Sequence, residues 1–252
     1  MNILLRIKEK IFTTLMPKLR PSGYYAVRSV LSDLKRLVDK DNPVIVDGGA
    51  NLGDLTQKFL TQYKNPTIYC IEPHQESARQ LEKKFASHGN VHVIDKALGN
   101  QTGQVQFNVS NNLPSSSFLQ RTEWNKEYHG DFTATQSAAL SDMVRLADLF
   151  PDPMSIDLLK LDVEGYELEV LMGAENILSN IRIIMAEVWF VGSYQGAPYS
   201  SDIEAYLRRH NFTLLNLYNP YTHPNAQLTT ADAAFLNRRF FPDRQSLTSR
   251  IN

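Results

Sequence analysis

A single cysteine, Cys70, leaves the chain unable to close a disulfide within itself. It sits in the apolar run Ile68-Tyr69-Cys70-Ile71, which implies a buried, inert thiol and a reducing, cytoplasmic setting. Apolar stretches of the roughly 20 residues that a membrane-spanning helix needs are absent, so no transmembrane segment is expected. Excess positive charge is absent too: 26 Lys and Arg face 27 Asp and Glu, a formal net charge of −1 over 252 residues. Without a global basic field the chain is not expected to hold nucleic acid. The six histidines lack zinc-ligand spacing, because His88 and His92 straddle Gly89 between a helix end and a strand start. Apolar residues make up 42%, slightly under the globular norm, and the shortfall points to long polar loops.

Basic charge is concentrated at the start. Residues 1–19 place Ile3, Leu4, Ile7, Ile11 and Leu15 on one helical face, with Arg6, Lys8, Lys10 and Lys18 among them or opposite. Interrupting charges and the lack of a small-residue cleavage site exclude a secretory signal. Two readings stand for this helix: its apolar face packs on the domain, or it makes a weak peripheral contact with anionic lipid at the inner face of a membrane. Residues 1–41 are read as a helical extension and 42–252 as one domain.

From Pro43 the pattern alternates. Val44-Ile45-Val46-Asp47 is a short apolar run closed by Gly48-Gly49, and residues 54–63 carry helical spacing at Leu55, Phe59 and Leu60. Strands are predicted at 67–71, 91–94, 156–161, 181–188, 212–218 and 231–239, and helices at 75–88, 166–178 and 201–210. Residues 104–109 alternate polar and apolar as a half-exposed strand does, and lead into a polar loop over 110–131. Such βα units imply a doubly wound, mostly parallel sheet with helices on both faces.

In that architecture ligands bind at the carboxyl ends of the strands, beside the first βα turn. Here it reads Val46-Asp47-Gly48-Gly49-Ala50-Asn51-Leu52-Gly53. A dinucleotide fingerprint, G-x-G-x-x-G, fails in both registers, because Ala50 or Asn51 falls where the second glycine belongs. Asp47, Gly49, Asn51 and Gly53 instead have the spacing of the acidic-glycine turn used for S-adenosylmethionine, a ligand with a cationic end and no pyrophosphate. Glu72, at the end of the next strand, is placed to accept both ribose hydroxyls. Asp95-Lys96-Ala97-Leu98 would lie beside the adenine, with Asp95 and Ala97 as contacts.

The strand at 156–161 runs into Asp162-Val163-Glu164-Gly165-Tyr166-Glu167, whose acids are badly placed for packing and well placed for a cleft. Methyl transfer to a hydroxyl needs orientation and a base, which a carboxylate can supply. Together the glycine turn, Ile71-Glu72-Pro73, the segment from Leu158 through Ala174 and Ile183-Ile184-Met185-Ala186-Glu187 resemble the FkbM family of S-adenosylmethionine-dependent methyltransferases. The resemblance spans residues 41–239 and implies a class I, Rossmann-like methyltransferase fold with a seven-stranded sheet. The usual chemistry it implies is O-methylation of a hydroxyl on a sugar or polyketide-like acceptor. Gly48 departs from the family, which commonly has Val there. Carried over by motif, Asp47, Gly49, Asn51, Gly53 and Glu72 line the cofactor, and Lys160, Asp162, Glu164 and Glu187 face the reaction. Asp162 is the preferred base, Glu164 positions, Glu187 contacts the acceptor, and Glu167 and Glu169 are read as solvated helix acids.

Other readings bear on the same residues. Asp162, Glu164 and Glu187 could hold Mg²⁺, although no metal is expected. His129 and His223 are alternative bases. A catalytically inactive S-adenosylmethionine-binding protein and an NAD-dependent sugar oxidoreductase are the competing functions. For the acceptor, the aromatics of the 110–131 segment (Phe118, Trp124, Tyr128) and of the loop at Trp189, Phe190, Tyr194 and Tyr199 suit a sugar, a lipid-linked glycan or another small ring.

Overall fold

The computed structural model describes residues 29–112, 115–130, 135–150 and 154–242. The predicted basic helix at 1–19 and the end of the polar loop at Asp131 lie outside them.

The strands are β1 (Val44–Gly48), β2 (Thr67–Ile71), β3 (Val91–Ile94), β4 (Ala97–Gly99), β5 (Gly103–Ser110), β6 (Thr135–Arg145), β7 (Ile156–Leu161), β8 (Ile181–Trp189), β9 (Phe212–Thr222) and β10 (Leu228–Asn237). The central ones, β1, β7 and β8, are short apolar runs, as a parallel sheet covered on both faces requires. Seven form one sheet in the order β3-β2-β1-β7-β8-β10-β9. All of its pairs are parallel except those of β10, which runs antiparallel to β8 and β9. The expected fold class, a class I methyltransferase-type sheet, is what the chain adopts.

Period-2 alternation divides the core. Val46, Leu159 and Ile184 point into one buried cluster, while their neighbours Ile45, Leu158 and Ile183 point into another on the opposite face. Helices α1 (Val30–Val38), α2 (Asp54–Gln62) and α3 (Gln75–Phe85) supply Leu34, Leu37, Phe59, Leu81 and Phe85 to the second cluster. On the other side, α6 (Glu167–Gly173) and α7 (Ser200–Arg209) supply Val170, Leu171, Ile203 and Leu207 to the first. The remaining helices, α4 (Glu123–His129) and α5 (Leu146–Leu149), are short.

Three features differ from the sequence pattern. Residues 103–110 pair not with the main sheet but with β6, in a separate three-stranded sheet ordered β4-β6-β5. The 110–131 loop contains α4. The helix foreseen at 166–178 ends at Gly173 and continues as a 3₁₀ turn, Glu175–Asn180, consistent with glycine's poor helix propensity. Cys70 is buried as expected, and its thiol is pushed up to about 12 by burial and the nearby Asp47 carboxylate.

Candidate functional site

A cleft of about 770 Å³, its open mouth included, lies at the carboxyl ends of β1, β2, β7 and β8. Gly49, Asn51, Glu72, Asp162, Glu164 and Glu187 all border it. The turn after β1 reaches this position because Gly49 and Asn51 take left-handed backbone angles, φ +71° and +47°. Glycine and asparagine are the residues that adopt them at least cost. A Cβ on Gly49 would sit 1.9 Å from the carbonyl oxygen of Asp162, so the two strand ends can meet only there.

Glu72 is buried, and its two carboxylate oxygens are fixed by backbone donors: Asn51 N–H to Oε2 at 2.8 Å and His74 N–H to Oε1 at 2.9 Å. Burial raises its pKa, and those two hydrogen bonds work the other way. Each oxygen keeps acceptor capacity for a ligand hydroxyl.

Other predicted residues stand behind the wall rather than in it. Asp47 is fully buried, accepts a hydrogen bond from Thr56 Oγ1 at 2.7 Å, and lies 3.1 Å from Lys160 Nζ. It does not border the cleft. Lys160 Nζ also donates to the carbonyl oxygens of Gly48 and Gly49, at 3.2 and 2.8 Å, and stands 3.7 Å from Asp162 Oδ2. Burial disfavours its charge, but Asp47 and Asp162 outweigh that and raise its pKa. This lysine ties the glycine turn to β7 and does not border the cleft. Gly53 caps α2 against Leu81 and Phe85, and Asp95 and Ala97 yield the cleft lining to their neighbours Lys96 and Leu98.

The acids converge. Carboxylate oxygens of Asp162, Glu164 and Glu187 lie within 4.8 Å of one another, close enough to share a hard cation or a hydroxyl proton. Asp162 is exposed, whereas Glu187 Oε2 is sealed from solvent with no hydrogen-bond partner among the described residues. Burial and then the neighbouring carboxylates, Asp162 first, push both Glu164 and Glu187 well above the ordinary glutamate range. Crowding is increased by Asp232, which sits directly opposite Glu187 in the β8–β10 ladder.

Glu164 is held in an unusual conformation, φ +54° in a residue with a side chain. Ser117 Oγ donates to its carbonyl at 2.7 Å and Tyr194 OH to its Oε2 at 2.9 Å. Glu167, expected in solvent, is instead fully buried and accepts from Val163 N–H at 2.9 Å, bracing the same turn. Burial raises it from 4.5 to about 7. Glu169 is only half-buried, and burial raises it as well.

A second cavity of about 630 Å³ shares Glu164 and Glu187 with the first. Trp124 and His129 of α4, Trp189, Tyr194 and Tyr221 border it, as do Asn112 and Thr229. Four of the aromatics expected at the acceptor do not line it: Tyr199 precedes α7 and is exposed, Phe190 packs on the core, Phe118 borders the first cleft, and Tyr128 stands behind Trp124. His223 packs at a tilt against Tyr128 with ring centroids 4.4 Å apart, outside the cavity lining. Tyr221 and Asp232 carry no motif in the sequence, and the β9–β10 hairpin brings them here; Glu167 lies in the motif, but its burial is not legible there.

The model of the Methyltransferase FkbM domain matches residues 47–214. The 2-O-methyltransferase NoeI of Sinorhizobium fredii is 26% identical over 209 residues, 75% of this chain and 83% of that protein. Methyltransferase sdnD of Sordaria araneosa is 31% identical over 175 residues, 59% and 67% of the two chains. The hexuronic acid methyltransferase AglP of Haloferax volcanii is 25% identical over 150 residues, 59% and 57%. Among solved structures, M. capricolum TrmK with S-adenosyl-homocysteine superposes at a TM-score of 0.45 and 11% identity, covering 84% of this chain and 69% of that one, a likeness from which no function follows. The matched span runs from Asp47 in the first turn past both acid-bearing strand ends, and with it the chain belongs to the FkbM family and is an S-adenosylmethionine-dependent methyltransferase.

Proposed function

We propose that the chain methylates a hydroxyl oxygen of a sugar or glycan. The observation that carries this reading is the convergence of Asp162, Glu164 and Glu187 within 4.8 Å at the inner end of the cleft. The names of NoeI and AglP, a 2-O-methyltransferase and a hexuronic acid methyltransferase, support the acceptor class. The residues fit the cofactor: Gly49 and Asn51 bring the turn's backbone to the cleft wall, Glu72 offers carboxylate oxygens to a ribose diol, and the acids suit a positive charge. When bound, S-adenosylmethionine supplies a methyl group already activated on sulfur.

What the chain adds is orientation and proton acceptance. Asp162 borders only the cofactor cleft, whereas Glu187 borders both cavities. That placement favours Glu187 over Asp162 as the base that takes the hydroxyl proton. Burial and the neighbouring carboxylates raise its pKa, which makes it the stronger proton acceptor. Asp162 then balances Lys160 and the cationic side of the cleft.

Calorimetry with S-adenosylmethionine, S-adenosylhomocysteine and NAD tests the cofactor, and binding of NAD alone sinks the reading. With labelled methyl donor and a glycan panel, Glu187→Gln is expected to lower turnover by about 10²–10⁴-fold. Asp162→Asn should cost less, and the reverse order returns the base to Asp162. The same three oxygens could seat Mg²⁺, so loss of turnover in EDTA, restored by Mg²⁺, would add a metal to the mechanism.

A further inference from the structure

We infer that the second cavity is the acceptor seat and that it is built for an uncharged pyranose ring. This deepens the methyl-transfer reading above and rests on it.

Position is the first ground. Glu164 and Glu187 form the partition between the two cavities, so a hydroxyl in the second reaches the carboxylates that border the cofactor cleft.

Unsatisfied polar atoms are the second. Glu187 Oε2 is a buried acceptor and Trp189 Nε1 a buried donor, both without a hydrogen-bond partner among the described residues. They lie two apart on β8, on the same face of the strand, and both residues border this cavity. A buried donor and acceptor left open cost stability. An alcohol is at once donor and acceptor and can answer both; a methyl or an aromatic C–H answers neither.

Wall chemistry is the third ground. Trp124 of α4 stacks on Tyr128 with centroids 5.2 Å apart, and Tyr128 OH lies 2.9 Å from Tyr221 OH, so one aromatic wall joins the helix to the β9–β10 hairpin. Such a surface takes the C–H face of a sugar while Asn112 and Thr229 meet its hydroxyls.

Charge then selects among sugars. The described lining holds two glutamates and no lysine or arginine. His129 is the one imidazole in the described lining, and burial and Arg121 lower its pKa and disfavour a positive charge there. A ring carboxylate would enter beside acids with no cation to meet it, a large penalty. The seat therefore prefers a neutral ring to a uronic acid, unlike the acceptor in AglP's name.

The chain's two tryptophans, Trp124 and Trp189, both border the cavity, so intrinsic fluorescence reads its occupancy directly. The full chain, with S-adenosylhomocysteine present, is titrated with the methyl glycosides of glucose, galactose, mannose, rhamnose and fucose, and with methyl glucuronoside. At least one neutral glycoside should give a saturable change and bind about tenfold or more tighter than the uronoside. Tyr221→Ala, an exposed position, should weaken that binding about fivefold by removing part of the wall. Thr230→Lys, which puts a cation into the lining, should narrow or invert the preference for the neutral ring. Calorimetry of S-adenosylhomocysteine on the same sample separates the two readings. If that ligand binds but no neutral glycoside gives a saturable change, or if the uronoside binds as well as the best neutral ring, the seat is wrong while the methyltransferase reading survives. If neutral glycosides bind and S-adenosylhomocysteine does not, the cavity keeps its ligand and the methyl-transfer reading falls.

Discussion

Gly49 shows how narrowly a single residue sets this site. Its φ of +71° suits glycine, and a Cβ there would meet the carbonyl oxygen of Asp162 at 1.9 Å, a backbone atom that cannot step aside. Gly49→Ala should destabilise the fold by about 3 kcal/mol, or about 6–12 °C in Tm, and weaken cofactor binding in parallel. Thermal melts with and without S-adenosylhomocysteine measure both. Glu164 shows the opposite economy: a side chain held at φ +54° among like charges, where function has kept a costly arrangement. Glu164→Gln removes one of the crowded acids while keeping an oxygen for Tyr194 OH. It should raise stability at pH 8 by about 1 kcal/mol and lower turnover, a pairing that urea titration and a methyl-transfer assay can check.

The turn spacing made Gly49, Asn51 and Glu72 legible in the sequence, because each answers a local demand of the βα turn. Asp47 and Lys160 were legible as motif members, but their depth was not. Which face of a strand end meets ligand and which meets a neighbouring strand depends on pairing, and pairing is not local.

Among the elements, the segment carrying α4 is fastened at several points. Ser117 Oγ donates to Glu164 O, Thr122 Oγ1 to Gly192 O at 2.6 Å, and Gln195 N–H to Gln120 O at 2.7 Å. The covering segment is thus tied to the acid turn and to the loop after β8. Ser117→Ala should cost about 1 kcal/mol and raise amide exchange in 115–122 and 163–165 together. A rise confined to 115–122 would show that the cover and the acid turn are not coupled.

Here too the sequence spoke unevenly. β7 was readable to the residue, since a strand buried on both faces is a continuous apolar run, and β2 and the edge strand β3 were readable from short runs rich in β-branched residues. β6 escaped notice because Thr-Gln-Ser-Ala-Ala-Leu-Ser-Asp lacks apolar alternation, and Leu140 stands 73% exposed. It becomes a strand by pairing with β5, across an insertion that includes α4.

For the molecule as a whole, a net charge of −1 conceals an acid-rich seam. Glu164, Glu167, Glu187 and Asp232 all have raised pKa values, each chiefly through burial. A carboxyl whose folded pKa exceeds its unfolded value binds its proton more tightly when folded. Its contribution is therefore fullest below the unfolded pKa and is lost as pH rises to the folded one. For Glu167 that window runs from 4.5 to about 7. Glu167→Gln can still accept from Val163 N–H and loses the titration. Relative to wild type, it should gain about 3 kcal/mol between the ends of that window, read from urea midpoints at several pH values. A constant gap across the window would show that Glu167 stays charged in the folded protein.

By itself the sequence determined the doubly wound sheet, the glycine turn and the acids after β7, because helix and strand periods and turn chemistry act over a few residues. Tertiary structure alone decided that Asp47 and Lys160 support the wall, that Glu187 stands between two cavities, and that Tyr221 joins Trp124 and Trp189 at the second. Those placements follow from strand order and from an antiparallel hairpin packed beside an insertion. The physical reason is that burial, and with it the charge state of every acid in the site, is a property of neighbours far apart along the chain.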